Sequence, residues 1–154
     1  MLLNKEKNFI SAVIYVYNLE KSIYGMLEKI ACQLQSRFES FEIICVNDFS
    51  TDSSCQEIQR FLEDNPGNTI TILNMSFYQG LELAMNAGVD LAIGDFIYEF
   101  DTDLDFCPAE LIISAYERAI QGYDLSLIHI FRILSGESKR EKFPISARII
   151  APMR

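Results

Sequence analysis

A chain of 154 residues that is 49% hydrophobic and 12% aromatic can build one domain with its own core, and 7 Gly and 4 Pro exclude a fibrous or low-complexity chain. Its 13 Lys+Arg against 22 Asp+Glu give a formal net charge of −9, which argues against a nucleic-acid backbone as main partner, because phosphate binding needs clustered cations. Such a balance suits a divalent cation, or solubility alone.

Phe9 to Tyr17 is an apolar, β-branched run bounded by charge before it and Asn18 after it, the pattern of a buried strand. Ile23, Met26, Leu27, Ile30, Ala31 and Leu34 then recur with helical spacing and form one apolar stripe. Phe41 to Val46 reads as a second buried strand. Asp52 to Asp64 reads as a second helix, with Ser54 and Glu57 in capping-box spacing and Asn65-Pro66-Gly67 stopping it. Thr69 to Leu73 alternates as a third strand. Leu81, Ala84, Met85, Gly88 and Ala92 form a third helical stripe, whose small residues permit close packing on a sheet.

Asp95 to Phe100 is predicted as a fourth strand, running into Asp101-Thr102-Asp103. Pro108 suits the first turn of a fourth helix, which Gly122 closes. Leu125 to Phe131 reads as a fifth strand. Strands alternating with helices in this way give an α/β fold with a mostly parallel sheet and right-handed crossovers.

After Phe131 the pattern dissolves. Residues 1–131 hold 7 basic and 20 acidic side chains and the last 23 hold 6 and 2, so a basic tail follows an acidic body. The expected division is a domain over 1–131 and a tail over 132–154 whose structure the sequence does not place. Met1 to Lys7 is charged and precedes no cleavage site, so no signal peptide is expected. Leu125 to Leu134 is too short to span a bilayer. Cys32, Cys45, Cys55 and Cys107 form no C-x-x-C pair, and His129 is the single histidine, so no zinc-site spacing exists. Buried, reduced thiols in a cytoplasmic protein are the expectation.

Ligands of open α/β sheets bind outside the carboxyl ends of the strands. There the sequence places Tyr15-Val16-Tyr17-Asn18, then Asn47-Asp48-Phe49-Ser50-Thr51-Asp52, then Asp101-Thr102-Asp103-Leu104-Asp105. Asp101 and Asp103 point to one side of an extended segment. Carboxylates that close repel unless a cation lies between them, and Mg²⁺ or Mn²⁺ shared with a diphosphate satisfies that need. A solvated acidic turn accounts for the same pair. Asp48 at a strand end can accept a hydrogen bond from a nucleobase N–H or cap the next helix. Tyr17 can stack on a base or pack into the core. There is no G-x-x-x-x-G-K-[ST] and no G-x-G-x-x-G, which disfavours a Walker-type NTPase and a dinucleotide-binding Rossmann domain.

These segments together resemble the family 2 glycosyltransferases, inverting enzymes of the GT-A fold, a Rossmann-like, mostly parallel sheet flanked by helices. The family's strand and P-x-Y-N-E-E turn correspond to Val13 to Glu20, and its V-N/D-D-G-S-T-D signature to Val46 to Asp52. Its pattern of spaced small residues falls on Gly80, Ala84, Gly88, Ala92, Gly94 and Asp95, and its D-x-D on Asp101 and Asp103. Tyr15 stands where Pro is usual, Phe49 where Gly is usual and Tyr78 where Asn is usual.

The resemblance implies that Tyr15, Tyr17, Asn18 and Asp48 lie on the nucleotide, with Asp101 on the ribose and metal side. Asp103 would bind Mn²⁺ or Mg²⁺. It implies a nucleotide-sugar donor, with a UDP-sugar favoured and a GDP-sugar passed to a polyprenyl phosphate as the alternative. The acceptor would be a saccharide or a lipid-linked group in envelope glycan synthesis, met by a cytoplasmic protein at the inner face of the membrane. Family members carry an acceptor-side acidic pair with the general base and commonly Q-x-x-R-W on a later helix. Neither is present, the chain holds no Trp, and no acidic residue follows Glu141. The expectation is the nucleotide-binding part of a glycosyltransferase, truncated on its C-terminal side and with no assignable general base. A catalytically incomplete nucleotide-binding or interaction module is the alternative.

Overall fold

A computed structural model of the chain describes residues 5–101, 109–122, 125–126 and 147–150. Six strands and four helices follow one another: β1 (Ile10–Val16), α1 (Ile23–Arg37), β2 (Phe41–Asn47), α2 (Ser54–Asp64), β3 (Ile70–Asn74), α3 (Leu81–Leu91), β4 (Phe96–Phe100), α4 (Ala109–Ala119), β5 (Leu125–Ser126) and β6 (Ala147–Ile150). They form one sheet in the order β3-β2-β1-β4-β6-β5. β1 pairs in parallel with β2 and with β4, and β2 in parallel with β3. β6 runs antiparallel to both β4 and β5.

The strand order has a consequence for the site. The chain moves outward from β1 through β2 to β3, then returns to place β4 on the other side of β1. The crevice between the carboxyl ends of β1 and β4 is therefore the switch point where such sheets take ligands.

Alternation along β1 divides the core. Ile10, Ala12, Ile14 and Val16 face α1, α2 and α4, in a cluster with Leu27, Ile30, Leu34, Ile58, Phe61 and Tyr116. Val13 faces the other way and packs with Ile44, Val46, Ala84 and Met85 beneath α3. The α1 stripe is buried at all six positions that its spacing marks. Burial of each such side chain contributes roughly 1.5–3 kcal/mol.

On the α3 face the expected close approach is present. A Cβ on Gly88 would lie 2.4 Å from Val13 Cγ1 and 2.6 Å from Val46 Cγ2. The end of α3 is held by a buried polar relay in which Ser11 Oγ donates to Glu42 Oε1, which also accepts from Ile93 N–H at 3.0 Å, while Gly94 N–H donates to Ser11 Oγ at 2.8 Å.

Two expectations change, the capping box and the burial of every thiol, and the tail gains a place. Ala147–Ile150 of the basic tail enters the sheet between β4 and β5. Of the fifth strand only Leu125–Ser126 falls within the described residues, and His129 lies outside them. The capping box does not form: Ser54 is the first residue of α2, and its N–H and hydroxyl both donate to Asp52 Oδ1. A carboxylate at that end is the better acceptor, because it also meets the positive end of the helix dipole. Among the described cysteines, Cys45 is buried, Cys55 is half-buried and Cys32 is exposed; Cys107 lies outside the described residues. No helix among the described residues is long and apolar enough to cross a membrane.

Candidate functional site

The loops after β1 and β2 are laced together. Asn18 N–H donates to Ser50 Oγ at 3.1 Å, and Thr51 N–H returns to Asn18 Oδ1 at 2.9 Å. Leu19 N–H donates to Ser54 Oγ at 2.8 Å. Glu20 N–H donates to Asp52 Oδ2 and Ser53 N–H to Glu20 Oε2, each at 3.0 Å. The polar residues of the two segments thus satisfy each other's backbone donors, which turning loops must otherwise leave to water. Burial alone would raise the Asp52 carboxyl, yet the hydrogen bonds from Ser54 and from the Glu20 and Ser54 backbones outweigh it and lower it below the ordinary value. Asn18, expected on the nucleotide, spends its Oδ1 on this lattice and has a left-handed backbone, φ 51°. Asn tolerates that conformation better than most residues.

Asp48 follows β2 and is wholly buried. Its Oδ1 accepts from Gln79 N–H at 2.7 Å, and its Oδ2 accepts from Gly80 N–H at 2.9 Å and from the Tyr15 hydroxyl at 2.9 Å. Gly80 precedes the first residue of α3, so the carboxylate lies at that helix's positive end. Burial, and then the hydrogen bond and charge of Asp48, push the Tyr15 phenol well above its ordinary value, with Tyr78 as a further neighbour. Asn47 beside them is equally engaged, donating to Asn74 Oδ1 at 2.9 Å and accepting from Ser50 N–H at 3.1 Å.

Two aromatic features stand out at this edge. The Tyr17 and Tyr78 rings lie 4.9 Å apart, tilted by 56°. Phe49 has φ 60°, a left-handed conformation that costs a side chain with a Cβ about 1–2 kcal/mol. The backbone shape expected of Gly is therefore retained, and Phe occupies it under strain.

Asp101 follows β4, whose Phe100 is in register with Ile14 of β1, so it lies one position beyond that pair, in the row of Tyr15. It is partly exposed and offers carboxylate oxygen, the donor that a hard divalent ion takes. Asp103 lies outside the described residues. Among the described residues no three His, Cys, Asp or Glu side chains gather closely enough to hold a metal ion.

Tyr15, Tyr17, Asn18, Asp48 and Asp101 therefore all lie at one sheet edge, and Tyr15 touches Asp48 directly. The β3–α3 loop was missed: Gln79 and Gly80 supply two of the three donors to Asp48, and Tyr78 supplies the ring against Tyr17. Gly80, with φ 87°, and Tyr78 in place of the usual Asn are the loop's marks in the sequence, and neither reveals the bonds to Asp48.

Comparison with known proteins shows the family and the fold. The family model for glycosyl transferase family 2 matches residues 11–150. The undecaprenyl-phosphate 4-deoxy-4-formamido-L-arabinose transferase of Pseudomonas paraeruginosa is 36% identical over 119 residues, which are 77% of this chain and 34% of that protein. Among solved structures, a mannosyltransferase from Pyrobaculum calidifontis in complex with GDP-Man and Mn²⁺ aligns with TM-score 0.62 and 20% identity, over 70% of this chain and 31% of its own. S. aureus TarS in complex with UDP-GlcNAc aligns with TM-score 0.57 and 24% identity, over 73% of this chain and 30% of its own. The chain spans about a third of the length of the curated relatives it matches.

Proposed function

The chain belongs to glycosyl transferase family 2, and we propose that it binds a nucleoside diphosphate sugar with a divalent cation at the β1–β4 switch point and serves inverting transfer of the sugar to an acceptor oxygen. The observation that carries this reading is the convergence of Tyr17, Asp48 and Asp101 at the carboxyl ends of three adjacent strands, β1, β2 and β4. A UDP-sugar is the first candidate and a GDP-sugar the second; complexes of both kinds occur among proteins of this fold. The name of the Pseudomonas relative supports a polyprenyl phosphate as acceptor, with a saccharide hydroxyl as the other choice. The protein would meet a lipid-linked acceptor at the cytoplasmic face of a membrane, in envelope glycan synthesis.

In this reading the base lies against Tyr17, the loops laced after β1 and β2 hold that ring in place, and Asp48 fixes the neighbouring β3–α3 loop. Asp101 and Asp103 would hold Mn²⁺ or Mg²⁺, which when bound offsets charge on a diphosphate leaving group. The acceptor oxygen forms its bond to the anomeric carbon from the face opposite the diphosphate. The carbon–oxygen bond to the diphosphate breaks, and the nucleoside diphosphate departs with the electron pair. A hydroxyl acceptor gives its proton to a base on the acceptor side; an ionised phosphate acceptor has none to give.

Titration calorimetry of the chain with UDP and with GDP, with and without Mn²⁺, tests this. Metal-dependent binding of at least one nucleotide is expected, and binding of neither overturns the reading. A transfer assay that loses turnover in Asp103→Ala would extend it from binding to catalysis.

A further inference from the structure

We propose that the β3–α3 loop and the first turn of α3 dock on a lipid bilayer of zwitterionic headgroups, with Phe77, Tyr78, Leu81 and Leu83 as the contacting side chains. This deepens the functional reading above, on which it rests, by assigning the surface that brings the switch point to a lipid-linked acceptor.

The loop is short and fixed at both ends. Met75 N–H donates to the Asn47 carbonyl at 2.9 Å. Gln79 N–H and Gly80 N–H donate to the Asp48 carboxylate at 2.7 and 2.9 Å. Between these anchors Ser76, Phe77 and Tyr78 stand at the carboxyl edge of the sheet, where α3 also begins. Phe77 is 60% exposed and Tyr78 55%, and Leu81 and Leu83 in the first turn of α3 are 38% and 58% exposed. Four large apolar side chains within seven residues are thus held in water by an anchored backbone, and the free chain forgoes the gain that burying them would bring. Exposed apolar groups gathered in this way mark a contact surface.

Charge identifies the partner. From Asn65 to Leu81 there is no charged side chain, in a chain that is 23% charged. A protein partner that pairs charges finds none there. The acidic chain, with Glu82 the first charge after the loop, repels an anionic surface. A zwitterionic lipid interface requires neither kind of pairing. It takes Tyr at the headgroup level and Phe and Leu at the acyl boundary, the side chains that this segment offers. Tyr78 also lies against Tyr17 at 4.9 Å, so the apolar surface is continuous with the switch point. Docking through it turns that edge toward the bilayer, where a lipid-linked phosphate lies. Binding of this kind is weak and reversible, below the association constant of about 10⁴ M⁻¹ that one myristoyl chain provides.

The test is co-sedimentation with phosphatidylcholine vesicles, repeated with phosphatidylglycerol added and with the salt raised, on the parent chain and on Phe77→Ser, Leu83→Ser and Ile93→Ser. Ile93 is 76% exposed but follows the far end of α3, at the amino edge of the sheet. Binding to the zwitterionic vesicles is expected, indifferent to salt because no ion pair contributes, and not strengthened by phosphatidylglycerol. Phe77→Ser and Leu83→Ser should each lower the partition constant by about tenfold, with Ile93→Ser unchanged and the melting temperatures retained. No sedimentation, sedimentation only with anionic vesicles at low salt, or an equal loss in Ile93→Ser overturns the proposal. So does a concentration-dependent dimer that Phe77→Ser dissociates, which would make the face a contact between two copies of the chain. Calorimetry with UDP and GDP without lipid reads the functional proposal separately. Nucleotide binding without vesicle binding overturns the docking surface alone; vesicle binding without nucleotide binding overturns the functional reading and leaves the bilayer contact standing.

Discussion

The Tyr15 hydroxyl donates to the buried carboxylate of Asp48 across 2.9 Å, on the same oxygen that receives Gly80 N–H. Three elements meet in that one group: the end of β1, the loop after β2 and the start of α3. Removing the phenol in Tyr15→Phe leaves the carboxylate short of one donor, and hydrogen bonds to charged groups are worth about 1.5–3 kcal/mol. Chemical denaturation should show a loss in that range, with the slope on denaturant unchanged.

The same pair sets an alkaline limit. Burial and the neighbouring carboxylate hold the Tyr15 phenol above its ordinary value of 10.0, so the fold favours the protonated form. Its contribution is fully present below pH 10.0, the unfolded value, and is lost as pH rises toward the folded one. Stability measured upward from pH 9 should fall less steeply in Tyr15→Phe than in the parent chain; equal slopes would contradict the linkage.

Phe49→Gly should stabilise the chain by about 1 kcal/mol, because it relieves a left-handed residue that carries a Cβ. The gain is reduced by the freedom that Gly adds to the unfolded chain. A thermal melt reads the sign directly.

Gly88→Ala sets two effects against each other. Helix propensity favours Ala by about 0.8–1.0 kcal/mol. The new Cβ, however, would lie 2.4 Å from Val13 and 2.6 Å from Val46, both on β-branched side chains with little room to turn. Overpacking of this kind costs typically 1–3 kcal/mol, so the net should be a loss, read as a lower melting temperature.

What the residue order reveals is what short periods encode. The stripe from Ile23 to Leu34 is buried at every marked position, since a helix repeats within the length of the stripe. The small residues at Ala84 and Gly88 announced contact with a sheet for the same local reason. The entry of Ala147–Ile150 between β4 and β5 was not legible, because antiparallel pairing with Phe96–Phe100 spans a long gap and leaves no period behind. Asp48 shows the same limit at the site. Its place at a strand end is local, whereas the Gln79 and Gly80 amides that occupy it come from 31 and 32 residues away. Phe49 was visible as a departure from Gly, yet only the backbone angle shows that the loop kept its shape and bears the strain.

Thiol chemistry should separate the cysteines. Burial pushes the Cys45 thiol up to about 12, with the nearby Cys55 adding to it, and its side chain is fully enclosed. Cys32 is exposed. Alkylation near pH 8 followed by mass spectrometry should modify Cys32 first and Cys45 only when denaturant is added, because the thiolate is the reacting species.

Asp101→Asn tests the acidic edge, with a thermal melt of the variant separating folding from binding. Asp101 lies beyond the last paired residue of β4 and is partly exposed, and the substitution keeps the size of the side chain while removing its charge. If Asp101 and Asp103 share a divalent ion with a diphosphate, the substitution should remove the Mn²⁺-dependent part of nucleotide binding. Base stacking on Tyr17 would then remain as a weak, metal-independent residue of affinity. Chelation of the parent chain should reproduce that residual affinity, and calorimetry with and without EDTA compares the two. Undiminished Mn²⁺-dependent binding in Asp101→Asn would remove Asp101 from the metal and diphosphate.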